Sequence, residues 1–102
     1  MNEVNILSDR TVGELRIVTA HINRFGGSYE VGYVFYPQKY EDKVVDEADI
    51  CFSAGHAPFG IKDSRPCIGC DTMHPNPLPL EVYLESWCLD PLNRIMGTSY
   101  TL

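Results

Sequence analysis

The sequence predicts an α+β fold, a small antiparallel sheet covered by helix, and three features of the chain support this class. A β-hairpin is predicted at about residues 13–36, a proline-rich loop over residues 53–79, and a C-terminal helix at about residues 80–89 with a short closing turn after it. Hydrophobic residues make up 44% of the chain and charged residues 22%, as in ordinary globular proteins. A chain of 102 residues therefore fits a single domain, residues 1–102.

The hairpin is predicted from two β-rich segments on either side of paired glycines. Residues 14–23 are rich in β-branched side chains, and residues 29–36 place large apolar side chains at alternate positions. Gly26-Gly27 between them supplies the positive φ angles that a tight connection requires. The apolar phase changes near Ile17–Val18, which predicts a bulge or a local twist in the first strand. A shorter strand over residues 4–7 is predicted to precede the hairpin.

Two helices are predicted after the hairpin from apolar residues that recur at helical spacing. The first set is Tyr40, Val44 and Ala48, with acidic residues between its members, and it predicts an amphipathic helix over residues 38–48. The pair Val44-Val45 also suits a strand. The second set is Leu80, Leu84, Trp87 and Cys88, and it predicts the helix at 80–89. We expect this helix to pack Trp87 onto the sheet. Asp90-Pro91 then fits the start of the closing turn, and Gly97 fits its end.

The loop over residues 53–79 is predicted from its composition. Five of the seven prolines and three of the eight glycines lie in it. A loop of this length without structure of its own is unusual in a compact domain unless something ties it down. We therefore expect a local constraint within this part of the chain.

The net charge of −6 comes entirely from the part of the chain after residue 40, which holds ten acidic and four basic residues. The densest acidic stretch covers residues 41–49. An acidic excess disfavours direct binding of nucleic acid, because a phosphate backbone attracts clustered lysine and arginine. It is typical of a solvated surface that maintains solubility, and it also suits a basic protein partner.

The first residues of the chain lack the apolar segment of a signal peptide, since Glu3, Asp9 and Arg10 interrupt residues 1–12. No apolar run approaches the length of about 20 residues that a membrane helix needs. We therefore expect a cytoplasmic protein whose four cysteines are reduced thiols or metal ligands. In a secreted protein the same four would instead form two disulfides.

A metal site is predicted from the Cys67-x2-Cys70 spacing, which lies among turn-forming residues. Two thiolates at this spacing bind one tetrahedral zinc when a turn points both sulfurs inward. The preferred ligand set adds Cys51 and His56, because pairs of ligands at both ends would tie down the long loop. Zinc bound in this way would be structural and would add to the free energy of folding.

A second ligand set and a simpler interpretation compete with that one. The second set combines Cys67 and Cys70 with His74, and its fourth ligand is Cys51, His56 or Cys88. The simpler interpretation treats the cysteines as core residues, because cysteine is among the most buried residue types. It is favoured for Cys88, which lies on the apolar face of the predicted C-terminal helix.

A partial resemblance to zinc-dependent nucleoside and nucleobase deaminases covers about a sixth of the chain. Gly55-His56-Ala57 followed by Pro66-Cys67-Ile68-Gly69-Cys70 is similar to the H-x-E and P-C-x-x-C motifs of that family. In the family the glutamate of the first motif transfers the proton, but Pro58 stands at that position here. The resemblance therefore implies zinc ligation by His56, Cys67 and Cys70 without the deaminase proton transfer.

Three functions are consistent with these features. The first is an acidic binding or inhibitory protein without catalytic activity, which would occupy the surface of a protein partner, for example a basic nucleic-acid-handling protein, through Tyr33, Tyr36, Tyr40, Asp46 and Glu47. The second is a small zinc-dependent hydrolase or deaminase-like enzyme that uses His56, Cys67 and Cys70. The third is a structural zinc-containing subunit of a larger assembly. We expect the first, because no complete catalytic motif is present.

Overall fold

The chain forms a five-stranded antiparallel sheet with helices packed on one face, which confirms the predicted α+β class. The computed structural model describes residues 3–24, 26–47, 52–54 and 60–102. The order of the strands in the sheet is β1-β2-β3-β5-β4. Their bounds are β1 Glu3–Val12, β2 Leu15–Arg24, β3 Gly27–Phe35, β4 Phe52–Ala54 and β5 Cys67–Asp71.

The predicted hairpin is present as β2 and β3, with positive φ angles of 99° at Gly26 and 141° at Gly27. The bulge predicted near Ile17–Val18 is wrong, because β2 pairs with β3 without a register shift. The apolar phase changes there for another reason: the described part of β2 has buried side chains on both faces of the sheet. The register shift lies instead in β1, between Ile6 and Ser8.

Each face of the sheet carries its own buried cluster. The helix face combines strand residues with residues of the helices, namely Leu15, Ile17, Val34, Tyr36, Val44, Ile68, Cys70, Leu80, Tyr83, Leu84, Cys88, Leu89 and Leu92. The opposite face holds Val18, Ala20, Ile22, Val31, Tyr33, Phe35 and Cys67, with Ile61 packed against them. Strands buried on both faces lose the simple apolar–polar alternation that a half-exposed strand shows.

The first predicted helix is present: a 3₁₀ turn at Gln38–Tyr40 leads into α1, Glu41–Glu47. Val44 anchors α1, since its side chain is completely buried among the residues of the helix face. The predicted last residue, Ala48, lies outside the described residues.

The C-terminal helix is longer than predicted, with α2 at Leu80–Tyr83, a π-helical turn at Leu84–Leu89 and α3 at Asp90–Met96. The interruption predicted at Asp90-Pro91 is wrong, because Leu89 keeps helical angles of −70° and −46°. The wide π turn relieves the clash that a proline ring otherwise makes with the preceding turn. Gly97 ends the helix with a φ of 69°, as predicted. No described helix is long and apolar enough to cross a membrane.

The predicted loop over residues 53–79 is interrupted by β5, which lies between β3 and β4 in the sheet. These residues form a strand and not a loop because Cys67 to Cys70 are all buried and make up a short apolar run between prolines. Pro66 and Pro75, which lack the N–H that a ladder needs, lie outside the strand. Part of the expected constraint on this segment is therefore sheet pairing.

Four alternating charges hold the segment before β5 against the sheet. Arg16 binds Asp9 through two hydrogen bonds of 2.9 and 2.7 Å, and its Nη1 lies 3.3 Å from Oδ2 of Asp63. Asp63 also accepts hydrogen bonds of 3.0 and 2.7 Å from the Arg65 guanidinium. Arg65 in turn donates to the Glu14 carbonyl oxygen at 2.9 Å. We call Asp9, Arg16, Asp63 and Arg65 the charge chain.

Candidate functional site

The predicted ligands Cys67 and Cys70 point to opposite faces of the sheet. Both lie on β5, and side chains three positions apart on a strand project in opposite directions. Cys67 belongs to the cluster on the face away from the helices, whereas Cys70 packs with Leu84 and Cys88 on the helix face. The structure therefore does not bring this pair together as two ligands of one zinc ion, because a shared ion requires convergent sulfurs.

The other predicted ligands are not gathered around either cysteine in the described part of the chain. Cys51 and His56 lie outside the described residues. His74 follows β5, and its Nε2 lies 3.8 Å from Oδ1 of Asp71. Within residues 3–24, 26–47, 52–54 and 60–102, no three His, Cys, Asp or Glu side chains form a group that could hold a metal. Zinc bound through Cys51 or His56 stays a prediction from sequence. Cys88 is a core residue, as the simpler interpretation predicts.

We expect the substitutions Cys67→Ala and Cys70→Ala to have additive effects on stability. The two Cα atoms are about 10 Å apart along an extended strand, and each sulfur packs in a different cluster. Each change alone should lower the free energy of unfolding by about 1 kcal/mol, and the double change by the sum. Urea unfolding of the three variants measures this. Two ligands of one metal would behave differently: the second substitution would cost little once the first had released the ion.

The predicted partner-binding tyrosines are mainly core residues. Tyr33 and Tyr36 are buried, and burial raises the pKa of each phenol to about 12. Tyr40 is half-buried, and the Lys39 ammonium lies 5.2 Å from the centre of its ring. Asp46 is exposed on α1, as predicted; Glu47 ends that helix, and its side chain lies outside the described residues. The structure therefore does not gather these residues into one surface.

A groove lies where β3 and β5 diverge, at the turn end of the hairpin, where β3 begins. The two strands pair from Phe35 and Cys67 as far as Val31 and Asp71. One further pair of contacts follows, since Thr72 N donates to Glu30 O at 3.0 Å and Glu30 N donates to Thr72 Oγ1 at 2.9 Å. The next residues turn back on themselves, because His74 N donates to Thr72 O at 2.8 Å.

This divergence leaves the start of β3 uncovered on the groove side. In an antiparallel sheet the N–H and C=O of a residue share a direction with those of the residue two positions away. The backbone groups of Ser28 therefore point the same way as those of Glu30, toward the groove. On that side they make no hydrogen bond to any described residue. The groove thus contains a short open strand edge.

The groove consists of two adjoining hollows of about 480 and 410 Å³. Both hollows are open to solvent, and their shared walls come from the hairpin and from the segment after β5, namely Ser28, Tyr29, Thr72 and Pro77. Arg24 and His74 line the first hollow, and His21 and Glu30 line the second. Exposed side chains of Met73 and Leu78 add apolar surface to the lining.

Arg24 provides the positive charge of the groove. Its guanidinium lies 5.0 Å from the centre of the Tyr29 ring, and its Nη2 lies 3.6 Å from the Met73 sulfur. No carboxylate among the described residues lies within ion-pair distance of it, whereas Arg16 and Arg65 are both paired. A guanidinium that packs on a ring still has N–H groups available for a carboxylate.

His74 lines the first hollow and packs against the C-terminal helix. Its ring packs 4.9 Å from Tyr83 and 5.3 Å from Trp87, measured between ring centres. Its buried Nε2 has no hydrogen-bond partner among the described residues. These contacts connect the groove to the C-terminal helix, and they place Trp87 beside His74 at the border of the core rather than centrally on the sheet.

The chemical character of the groove is that of a recognition site: open backbone groups, exposed apolar side chains, the Arg24 cation in the first hollow and the Glu30 carboxylate in the second. No local pattern in the sequence marks the groove, because it exists only where β5 ends against the longer β3, and β5 itself lies in a segment whose composition predicts a loop. Comparison of the chain with protein-family models, with curated proteins and with solved structures finds no match. The geometry of the groove is therefore the basis for inferring a function.

Proposed function

We propose that this chain is a non-catalytic protein-binding module, and that its groove takes up an extended acidic segment of a partner protein. The uncovered edge of β3 at Ser28 carries the proposal. An extended peptide can add to such an edge as a short strand, with main-chain hydrogen bonds supplying affinity. The partner segment would lie beside the start of β3, past the point where β5 ends at Asp71.

Charge determines which segment fits. Arg24 would bind a carboxylate side chain of the partner segment in the first hollow, because arginine binds carboxylates through two parallel hydrogen bonds. The exposed Leu78 side chain, which lines the second hollow, favours an apolar residue at the next position of the same segment. Since alternate side chains of a strand point to opposite sides, the segment we expect alternates acidic and apolar residues.

We expect Arg24→Gln to weaken binding of such a peptide about tenfold, since a charge-assisted hydrogen bond is lost. The probe is a fluorescent synthetic peptide of about eight alternating glutamate and valine residues, and the measurement is fluorescence anisotropy. Arg94→Gln is the matched control, because Arg94 is an exposed arginine on α3 that lines neither hollow and has no described ion pair. Equal affinities for the wild type and Arg24→Gln would contradict the role of Arg24.

The strand-addition geometry has its own test on the peptide. Methylation of the backbone nitrogens along one edge removes the donors that would pair with β3, and we expect it to abolish binding. Methylation along the other edge, which would face solvent, should leave the affinity within about twofold. If both peptides bind like the parent, the peptide does not pair with the β3 edge.

A second candidate function is inhibition of a basic, nucleic-acid-handling partner by the acidic face of α1. The support for it is the orientation of that helix: Val44 is buried, whereas Asp42 and Asp46 are exposed. Long-range attraction of this kind is strongly screened by salt. Binding of a basic partner that weakens steeply with salt and is lost in Asp42→Asn/Asp46→Asn would favour this candidate over the groove.

A further inference from the structure

The outer edge of β1 is a long open strand edge at one end of the described sheet. β1 spans ten residues, from Glu3 to Val12, and pairs with β2 on one side only. Three apolar side chains near its middle are exposed, with relative exposures of 38% for Val4, 48% for Ile6 and 53% for Leu7. A long open edge with exposed apolar side chains is a surface that pairs with another strand.

The charges of β1 limit which strand fits. Asp9 is already bound to Arg16 within the chain. Glu3 and Arg10 are exposed and have no ion-pair partner among the described residues. A strand that places a positive charge opposite Glu3 and a negative charge opposite Arg10 would complement both. β1 of a second copy, running antiparallel, has this arrangement.

The bulge in β1 brings this symmetric pairing into phase. A two-fold axis requires opposed residues to face the same side of the sheet, yet residues seven positions apart on a regular strand face opposite sides. In the register shift between Ile6 and Ser8, Leu7 is the extra residue without a partner on β2. Because of this extra residue, Glu3 and Arg10 face the same side of the sheet. Glu3 pairs with Asn23 and Arg10 with Ile17, both odd-numbered positions of β2, so Glu3 and Arg10 share the helix face.

We propose that two copies of this chain associate through β1, antiparallel, with Ile6 on the two-fold axis. In this register Glu3 of each copy opposes Arg10 of the other, and Asn5 opposes Ser8. Ile6 opposes its own symmetry mate on the face away from the helices, beside the cluster that holds Ala20 and Ile22. Pairing would cover the apolar edge and join the two sheets into one.

A charge exchange tests the register. Glu3→Arg and Arg10→Glu each place like charges opposite one another twice, and each should weaken the dimer about tenfold. The double variant Glu3→Arg/Arg10→Glu restores opposite charges and should recover the wild-type dimer. Analytical ultracentrifugation at several concentrations measures the dimer, and circular dichroism confirms that each variant folds. A monomeric wild type, or a folded double variant that dimerises no better than the single ones, overturns the proposal.

A cross-link tests the position of the axis. Ile6→Cys should form a covalent dimer upon mild oxidation, because the two new thiols would lie directly opposite one another. Thr11→Cys on the same strand should not, since its symmetry mate would be far along the other strand. The wild type under the same oxidation controls for the native cysteines. Cross-linking of Thr11→Cys as fast as Ile6→Cys excludes the proposed register.

Discussion

Replacing Gly32 with alanine is expected to lower the free energy of unfolding by about 1–3 kcal/mol, because it overpacks the contact between the sheet and the C-terminal helix. A Cβ at this position would lie 2.6 Å from Cδ2 of Leu84 and 3.0 Å from its Cγ. The Leu84 side chain is almost completely buried and cannot simply swing into solvent. Either it leaves its rotamer or the helix moves away from β3. Thermal or urea unfolding measures the loss.

A double-mutant cycle shows whether this loss comes from Leu84. Leu84→Ala alone should cost about 2–5 kcal/mol through the cavity that it leaves. In that background Gly32→Ala should cost much less than in the wild type, since the space it needs is then available. Leu92→Ala, another fully buried leucine of the C-terminal helix, is the matched control and should leave the cost of Gly32→Ala unchanged. Additivity with Leu84→Ala would contradict this packing.

Replacing Asp63 with asparagine is expected to destabilise the fold by about 1.5–3 kcal/mol near neutral pH, because it breaks the middle of the charge chain. Hydrogen bonds from the Arg65 side chain, followed by those from the Arg65 backbone and from Arg16, hold the pKa of Asp63 well below its usual range. The carboxylate is mostly buried, which makes its pairing with arginine more valuable than pairing at an exposed site. Arg65 would keep its hydrogen bond to Glu14 but lose its charged partner.

The lowered pKa of Asp63 also fixes how this contribution depends on pH. A carboxylate with a lower pKa in the folded than in the unfolded state stabilises the fold above the unfolded pKa, which is about 4. The contribution is lost as the pH falls through the folded pKa. The difference in stability between wild type and Asp63→Asn should therefore be constant between about pH 5 and 8, and shrink below about pH 4.

Urea unfolding at several pH values measures this difference. Asp46→Asn is the matched control, because Asp46 is exposed on α1 and has no described ion pair. Its effect should stay below about 0.5 kcal/mol at every pH. A difference in stability between wild type and Asp63→Asn that grows toward acid pH would contradict a lowered pKa of Asp63 in the folded state.

Local patterns in the sequence predict most of the regular structure. Gly26-Gly27 and the alternation in β3 identify the hairpin because a tight turn and its strands depend on neighbouring residues. The spacing of Tyr40 and Val44 identifies the first helix for the same reason. The π turn before Pro91 could not be predicted, since it depends on how the C-terminal helix packs against the sheet.

The Cys67-x2-Cys70 segment shows why the candidate site could not be predicted. The same residues suit a ligand turn, which points both sulfurs one way, and a buried strand, which points them apart. The choice between the two depends on pairing with Val31–Phe35, which lies far away in sequence. The groove depends on the same pairing, because it begins where β5 ends against the longer β3. Arg24 carried no local signal that would distinguish it from Arg16.

Nuclear magnetic resonance of the ¹⁵N-labelled protein, titrated with the alternating acidic peptide, tests the account of function most directly. We predict that the amide resonances of Ser28, Tyr29 and Thr72 shift the most, and that the Ser28 amide gains protection from hydrogen exchange as its N–H acquires a strand partner. Shifts confined to α1 or β1, or no shifts at high peptide concentration, would contradict the assignment of the groove as the binding site.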